Sequence, residues 1–210
     1  MTGLNRELLQ KMLSAATASI ESNVAYLNQL DSATGDGDHG TSIVKAIRAA
    51  SKSVTEASAE QSLKEILYNA GWAVMGEDCG STSSLIGTFF MGMSDAAVCD
   101  ELTDEAAIGM FSSGLAGISK QTKAKIGDKT LMDALIPAIA VMQDAGDFTT
   151  ALHSAAQAAA AGAESTKNFI AKFGRAKNLG ERSVGHIDAG ATSMALIFEA
   201  FAKTVVHHQI

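Results

Sequence analysis

The sequence predicts an all-α fold, and three observations support that prediction. Proline occurs once, at Pro137, and aromatic residues make up only 5% of the 210-residue chain, while alanine is abundant. No stretch shows the strict alternation of β-branched residues that is typical of a half-buried strand. Apolar residues instead recur at helical spacing in two clear runs, at positions 63, 66, 67, 70 and 74 and at positions 108, 111, 115 and 118.

Extending this periodicity predicts eight helices, separated by clusters of Gly, Asp, Ser and Thr. Their expected bounds are about 4–30, 41–56, 60–76, 82–97, 103–121, 130–145, 149–172 and 190–208. Pro137 lies in the first half of the sixth helix, where it is expected to kink the chain. Because most connections are short, successive helices should run antiparallel, in an up-and-down bundle or closed barrel. One domain over residues 1–210 can then bury a substantial core.

The segments that precede the helices are of two kinds. The second, fourth, sixth and eighth helices follow small, polar, glycine-bearing segments, which read GDGDHGTS, EDCGSTSS, KIGDKT and GHIDAGATS. The third, fifth and seventh follow EASAEQS, DELTDE and GDFTT, which are ordinary capped surface turns. Alternate helices of an up-and-down bundle start at the same end, so the four glycine-bearing segments should meet there. This pattern predicts the functional end of the molecule.

Charge and cysteine content exclude several classes of function. A net charge of −7 is unfavourable for nucleic-acid binding, which needs clustered Lys and Arg. The N-terminus shows no leader and no apolar run reaches membrane-spanning length, so we expect a cytoplasmic protein that is not membrane-bound. Cys79 and Cys99 form no CxxC pair, so neither a zinc site nor a disulfide framework is expected. His207 and His208 are expected at the surface.

Three acids close together in LDSATGDGDHGTS predict a magnesium site. Asp31 should end the first helix, with Asp36 and Asp38 projecting the same way from an extended segment. All-oxygen carboxylate ligands suit Mg²⁺ better than zinc or copper. An EF-hand is excluded, because counting from Asp36 places Gly40 at the fifth ligand position. A turn-forming role for these acids is the alternative.

The same end has the features of a phosphate site. Helix starts offer unpaired N–H groups and partial positive charge, and glycines at 37, 40, 80, 87 and 190 would let the backbone approach a ligand. Arg175 and Arg182, in the Gly-rich loop 174–190, are compatible with solvated loop charges, but this loop can also close over phosphates, with Arg175 supplying a guanidinium fork. Asp133 fits a helix cap better than a ligand, and His39 and His186 fit loop orientation as well as ligand contact. The run FFMGM, 89–93, is expected in the core.

Several motifs resemble one family. GDGDHG, GTFF, GDKTLMDAL and GRAKNLGERSVGHIDAGATS, in this order between about Tyr26 and Phe201, resemble the nucleotide-binding L subunits of bacterial dihydroxyacetone kinases. The resemblance implies an eight-helix antiparallel barrel that binds ADP or ATP at one rim through two Mg²⁺ ions, held by Asp31, Asp36 and Asp38. It places nucleotide contacts on His39, Gly40, Thr41, Ser42, Ser81, Thr82, Leu131, Arg175, Asp188, Ala189 and Gly190.

The resemblance also implies partners and a reaction. A separate K subunit would hold dihydroxyacetone covalently through a histidine, and Arg175 would stabilise charge during phosphoryl transfer to it. In one branch of the family a phosphorylated M subunit of the phosphotransferase system recharges bound ADP; in the other, free ATP exchanges. A domain of this length resembles the first branch. Self-association is left open.

Three departures from the family pattern leave alternatives open. Cys79 replaces a glycine in the turn before the fourth helix, Thr122 stands where glycine is common, and Ala189 stands where proline is usual. These differences are compatible with an ATP-dependent kinase subunit for another short ketose, such as erythrulose. A nucleotide-loaded regulatory module that engages a transcription regulator is the alternative from another class.

Overall fold

The computed structural model describes residues 2–208 and the side chains of residues 3–206. Within this part the α-helices are α1 (Arg6–Ser22), α2 (Val24–Ser32), α3 (His39–Thr55), α4 (Leu63–Met75), α5 (Ser81–Ala96), α6 (Asp104–Ser119), α7 (Met132–Met142), α8 (Phe148–Ser165) and α9 (Ala189–His208). Two short strands, β1 (Thr2–Asn5) and β2 (Glu101–Thr103), pair antiparallel. Residues Thr166–Asn168 and Arg175–Ser183 form 3₁₀ turns.

The helices form a closed ring. From α3 to α9 each helix packs against the next along the chain, and α1 packs against both α3 and α9 to close the ring. The inward faces form one core, in which Phe111 contacts the rings of Phe89, Phe148, Phe198 and Phe201 at centroid distances of 6.0–6.3 Å. The prediction of an all-α barrel is therefore confirmed, and Phe89 belongs to the core as expected.

The first predicted helix, 4–30, is wrong in its extent. It is divided at Asn23, whose φ of −113° and ψ of 9° leave the helical region. Its first residues form β1, where Leu4 is fully buried and lies opposite the equally buried Leu102 of β2. The strand pair was not predicted because each partner is only a few residues long and is stabilised by pairing distant in sequence.

The seventh predicted helix, 149–172, was extended too far, because α8 ends at Ser165. Thr166 explains the ending. Its hydroxyl donates to the Ala163 carbonyl at 2.6 Å and accepts a hydrogen bond from the Asp188 N–H at 2.8 Å. The chain therefore leaves the helix to join the long loop before α9. The other predicted bounds agree with the observed helices to within a few residues.

Glycines let α5 pack closely against both of its neighbours. A Cβ on Gly87 would lie 2.8 Å from the Gly71 carbonyl oxygen of α4. One on Gly92 would lie 2.5 Å from the Ser113 carbonyl oxygen of α6. Gly87 was expected to approach a ligand, but its backbone contacts α4 instead.

One described helix is long and apolar enough to cross a membrane by composition alone. The window Ala189–Val206 of α9 has a mean hydropathy of 1.3, so the expectation that no segment reaches this length was too strict. However, 56% of the window is buried inside the barrel, which is typical of a core helix. Cys79 and Cys99 are both free thiols, as expected.

Candidate functional site

A cleft of about 760 Å³ opens at the end of the ring where α3, α5, α7 and α9 begin. The four glycine-bearing segments that precede these helices all contribute to it. Of the residues nominated from the sequence, those that line the cleft are Asp31, Asp36, Asp38, His39, Ser42, Ser81, Thr82, Leu131, Arg175, Asp188, Ala189 and Gly190. At about 760 Å³ the cleft has the size of a small-molecule or cofactor site.

The three acids form a compact cluster at the mouth of the cleft. One carboxylate oxygen from each of Asp31, Asp36 and Asp38 lies within 4.8 Å of the others. Asp31 is partly buried and Asp36 and Asp38 are exposed. The cluster therefore offers only oxygen donors and leaves space for phosphate oxygens and water, which fits Mg²⁺.

The turn around Asp31 explains how the acids come together. Its Oδ2 accepts hydrogen bonds from the backbone N–H groups of Gly37, Asp38 and His39 at 2.8, 3.0 and 3.3 Å. A Cβ on Gly35 would lie 2.4 Å from Asp31 Oδ1, so only glycine leaves room for this carboxylate. The segment is a turn with Gly37 at φ 79°, and not the extended segment that was expected.

Helix capping differs between the two ends of the barrel. At the far end, α4, α6 and α8 begin with side-chain caps: Ser62 with Glu65, Thr103 and Asp147. At the cleft, α3, α5 and α7 begin without a side-chain cap. Side chains outside the N-cap positions accept some N–H groups of the first turns, those of His39 and Thr41 in α3 and of Met132 in α7. The partial positive charge of these helix starts still lies at the cleft and can stabilise a bound anion.

Arg175 closes one side of the cleft. It follows Gly174, which has a positive φ of 61°, and its guanidinium forms an ion pair with the Asp36 carboxylate. The Arg175 side chain is 67% exposed, so this pair is a weak surface contact. The guanidinium therefore lies beside the acid cluster and can exchange the carboxylate for a phosphate oxygen.

Lys129 is a buried cation that was not predicted. Only 2% of it is exposed, and its Nζ donates hydrogen bonds to the carbonyls of Thr166, at 2.7 Å, and His186. Burial lowers the pKa of this ammonium, while Asp188 and Asp133 nearby act in the opposite direction. Lys129 thus joins the loop before α7 to the loop before α9. Its place in GDKT, directly before a predicted helix start, was the available signal.

Asp133 has the structural role that was expected. Its carboxylate accepts hydrogen bonds from the N–H groups of Gly127, at 2.6 Å, and Thr130, at 2.7 Å. Burial raises its pKa, and those backbone hydrogen bonds oppose the rise. The side chain therefore shapes the loop before α7.

Asp188 caps α9. Its Oδ2 accepts the Ala191 N–H at 2.7 Å, and burial raises the pKa of this carboxyl to about 7. The hydrogen bond from Ala191 and the charge of Lys129 partly counter that rise, while Asp133 and Asp31 add to it.

His39 links two helix starts across the cleft. Its Nε2 lies 3.0 Å from Ser193 Oγ, and that hydroxyl donates to the Gly190 carbonyl at 2.9 Å. The imidazole must therefore be the donor to the hydroxyl, which places a proton on Nε2. Burial lowers the pKa of His39, although Asp31 opposes this. His186, in contrast, is exposed and lies outside the cleft lining, as does Arg182.

Two of the residues that the family resemblance places at the nucleotide do not line the cleft. Gly40 is buried against α2, where a Cβ would lie 2.3 Å from the Val24 carbonyl oxygen. Thr41 is exposed and exchanges hydrogen bonds with the Asn28 side chain, both at 3.2 Å. Helix packing accounts for both residues.

Other lining residues were not nominated for ligand contact. They include Thr34, Gly35, Asp78, Ser84, Leu85, Gln121, Ala124, Thr130, Met132, Phe173, Gly174 and Ala176. The three departures from the family pattern, Cys79, Thr122 and Ala189, also line this cleft. Cys79 is buried, and its N–H donates to Ser83 Oγ at 3.1 Å.

Comparisons with known proteins show the family of this chain. A family model described as the DAK2 domain matches residues 33–203. The ADP-binding subunit DhaL of PEP-dependent dihydroxyacetone kinase 2 from Listeria innocua is 36% identical over 197 residues, covering 90% of this chain and 91% of the relative. The L-erythrulose kinase of Pectobacterium atrosepticum is 33% identical over 201 residues, covering 92% of this chain and 34% of that relative.

A solved structure is also similar. The dihydroxyacetone kinase of C. freundii, in complex with AMP-PNP and Mg²⁺, matches 97% of this chain with a TM-score of 0.72 and 26% identity. The chain spans 34% of the length of that kinase.

Proposed function

Because the chain belongs to the DAK2-domain family, we propose that it is the ADP-binding subunit of a dihydroxyacetone kinase and acts as a single nucleotide-binding domain over residues 1–210. The supporting observation is the carboxylate cluster of Asp31, Asp36 and Asp38, within 4.8 Å, at a cleft that receives three helix starts without side-chain caps. The relative from Listeria innocua, 91% of whose length this chain covers, is named an ADP-binding subunit.

The acid cluster would hold magnesium, with two ions expected. When bound, Mg²⁺ neutralises phosphate oxygens of ADP or ATP and the charge that develops during transfer. Asp31, fixed by three N–H donors, would supply the most rigid ligand, and the exposed Asp36 and Asp38 would complete the set.

The remaining cleft residues would position the nucleotide. The N–H groups at the starts of α5 and α9, with the hydroxyls of Ser81 and Thr82, suit phosphate oxygens. Arg175, now paired with Asp36, would turn to the transferring phosphoryl group and stabilise its charge. His39, Ser42, Leu131, Asp188, Ala189 and Gly190 complete the proposed contacts. Gly40 and Thr41 would act by packing α3 beneath the site.

The acceptor would come from another protein. We propose a K subunit that holds the ketose covalently, and a phosphorylated M subunit that recharges bound ADP. This chain would contribute positioning and charge, and no nucleophile. Three further expectations remain predictions: a transcription regulator as an additional partner, a homodimer and a cytoplasmic location.

Replacement of one ligand tests the proposal. Asp36→Asn should abolish magnesium-dependent ADP binding in calorimetry while the circular dichroism spectrum stays unchanged. Asp36 is exposed, and within the described part of the chain the ion pair of its carboxylate is with Arg175, itself an exposed side chain. Asp144→Asn, an exposed aspartate before α8, is the matched control and should bind normally. Unchanged ADP affinity in the Asp36 variant would defeat the assignment.

An ATP-dependent kinase subunit for another ketose is the second candidate, supported by the similarity to L-erythrulose kinase. Mass analysis of the purified protein distinguishes the two. Retained ADP is expected for a subunit that keeps its nucleotide as a cofactor, whereas a site that exchanges ATP freely should be recovered empty. An assay of sugar-phosphate formation, run with dihydroxyacetone and with erythrulose as the acceptor, then identifies which ketose is used.

A further inference from the structure

Basic residues are concentrated in two chain segments that form a wall at one side of the cleft, although of these cations only Lys129 and Arg175 line the cleft itself. The wall consists of segments 120–131 and 166–188, and we call it the basic wall. The first segment holds four lysines, and the second holds three lysines and two arginines, so nine of the chain's 16 basic residues lie here. Only three of its 23 acidic residues do, which leaves seven basic against 20 acidic residues elsewhere. An acidic protein therefore has one strongly positive face.

The two segments of the basic wall form one surface. Lys172 pairs with Asp128, with Nζ and Oδ1 2.8 Å apart, and its backbone N–H donates to the Asp128 carbonyl at 3.1 Å. The buried Lys129 ammonium donates to the Thr166 carbonyl at 2.7 Å. These buried and half-buried contacts hold the charges of both segments in a fixed arrangement.

Most exposed cations of the wall form no ion pair within 4.0 Å among the described side chains, although Lys125 lies close enough to Asp128 to help lower the pKa of that carboxyl. Among the described side chains, ion pairs within 4.0 Å involve Lys167, Lys172 and Arg175 of this wall. The exposed residues of the wall without such a pair in the described part of the chain are Lys120, Lys123, Lys125, Lys177 and Arg182. Their positive potential is thus available to a partner.

Apolar side chains are exposed within the same wall. Ile126 is 54% exposed, Val184 45% and Ile170 43%. A hydrogen bond of 2.9 Å from the Ala171 N–H to Ser183 Oγ places the backbone at Ile170 beside that at Val184. Large apolar residues exposed in the same segments as several cations are typical of a protein interface with a charged rim, whereas phosphate recognition relies on polar and charged contacts.

We propose that the basic wall is the docking surface for an acidic face of the subunit that holds the acceptor sugar. The partner's identity rests on the proposed function, whereas the charge pattern does not. The wall contains Arg175, which contacts Asp36 of the acid cluster. A subunit docked on the wall therefore lies beside the phosphate end of the cleft, where its acceptor hydroxyl is needed. Opposite charge would also speed its association.

Charge reversal at exposed lysines tests this proposal. Lys123→Glu with Lys177→Glu should lower the association rate with the purified sugar-holding subunit about tenfold at low ionic strength. The difference from the wild-type protein should shrink as salt is added. The matched control is Lys45→Glu with Lys64→Glu, which makes the same change in net charge at exposed lysines outside the wall and should associate at nearly the wild-type rate.

Parallel measurements distinguish docking from nucleotide steering and from an effect of net charge. Calorimetry with ADP and magnesium should give the same affinity for both double variants; a loss confined to ADP affinity would assign the wall to nucleotide steering and overturn docking. Equal slowing by both double variants would reduce the effect to net charge. If the Lys123→Glu with Lys177→Glu variant slowed only the binding of the phosphoryl-donating protein, or only the binding of a DNA duplex, the docking proposal would also be overturned. If the wild-type protein binds no ADP, the proposed function fails while the association data still decide the docking surface.

Discussion

At the scale of single residues, the three aspartates of the cluster have different structural roles. Asp31 accepts three backbone hydrogen bonds and organises the turn that carries the other two. Asp36 pairs with Arg175, and Asp38 begins α3 without capping it through its side chain. If Asp31 is a metal ligand as proposed, a ligand that also builds its own loop should have effects on stability that an exposed ligand lacks.

Asparagine substitutions separate these roles. Asp31→Asn should lower the free energy of unfolding by about 1 kcal/mol, because its hydrogen bonds lose the assistance of the negative charge. Asp38→Asn should not lower it, since its carboxylate is exposed. Both variants should lose magnesium-dependent ADP binding. Urea denaturation and calorimetry measure the two effects, and equal stability losses would contradict this division.

Asp188 should make the stability of the free protein depend on pH. Burial raises its pKa in the folded state to about 7, above the ordinary value of 3.8. Its contribution is therefore fully present below the ordinary pKa and is lost as the pH rises through about 7. Asp188→Asn keeps an acceptor for the Ala191 N–H but does not titrate. Thermal melting from pH 4 to 8 should show wild-type stability falling relative to this variant; parallel profiles would disprove the assignment.

At the scale of elements, close helix contacts place the cleft residues. Gly71 and Gly87 bring α4 against α5, and Gly92 and Gly117 bring α5 against α6. These contacts fix where α5 begins, and hence where Ser81 and Thr82 lie relative to the acid cluster. Sequence periodicity reveals an amphipathic helix but carries no information on how closely two helices approach.

Two alanine substitutions compare a packed and an open glycine. Gly92→Ala should lower the free energy of unfolding by about 1–3 kcal/mol, because the new Cβ would lie 2.5 Å from the Ser113 carbonyl oxygen. Gly109→Ala in α6 meets nothing within 4 Å and should raise it by about 0.5–1 kcal/mol through helix propensity. Urea denaturation measures both, and a neutral Gly92 variant would show that the helices separate at little cost.

At the scale of the whole molecule, ligand binding should couple to the stability of the barrel. The cleft joins residues from four helix starts and from the loops before α7 and α9, so a nucleotide bound there would bridge distant parts of the chain. A ligand that binds only the folded state stabilises it by mass action.

This coupling should require magnesium. ADP with Mg²⁺ at about a hundredfold excess over the dissociation constant should stabilise the protein by about 2.7 kcal/mol. A chelator should abolish most of the gain, because the phosphates would then face the carboxylates of the acid cluster without a bridging metal ion. Differential scanning fluorimetry with ADP, magnesium and chelator measures this; an equal rise in melting temperature without magnesium would argue against metal-bridged binding.

Local patterns were sufficient to predict the helices, the alternation of their starts and the acid cluster. Asp31, Asp36 and Asp38 lie within eight positions, so a short turn brings them together, and most helix starts carry their own signal in Ser, Thr, Asp, Asn or Gly. Short-range interactions decide these features, which is why the sequence by itself determined the fold class and the end of the barrel that holds the cleft.

Only the tertiary structure decided the features that depend on contacts between distant segments. The pairing of β1 with β2 and the early end of α8 at Thr166 follow from contacts outside each segment. Gly40 and Gly87 were expected at the ligand, but their space is taken by neighbouring helices. Lys129 looks like a surface lysine in sequence, and becomes a buried link because two loops meet around its ammonium. The physical reason is that packing and burial depend on neighbours that local sequence does not specify.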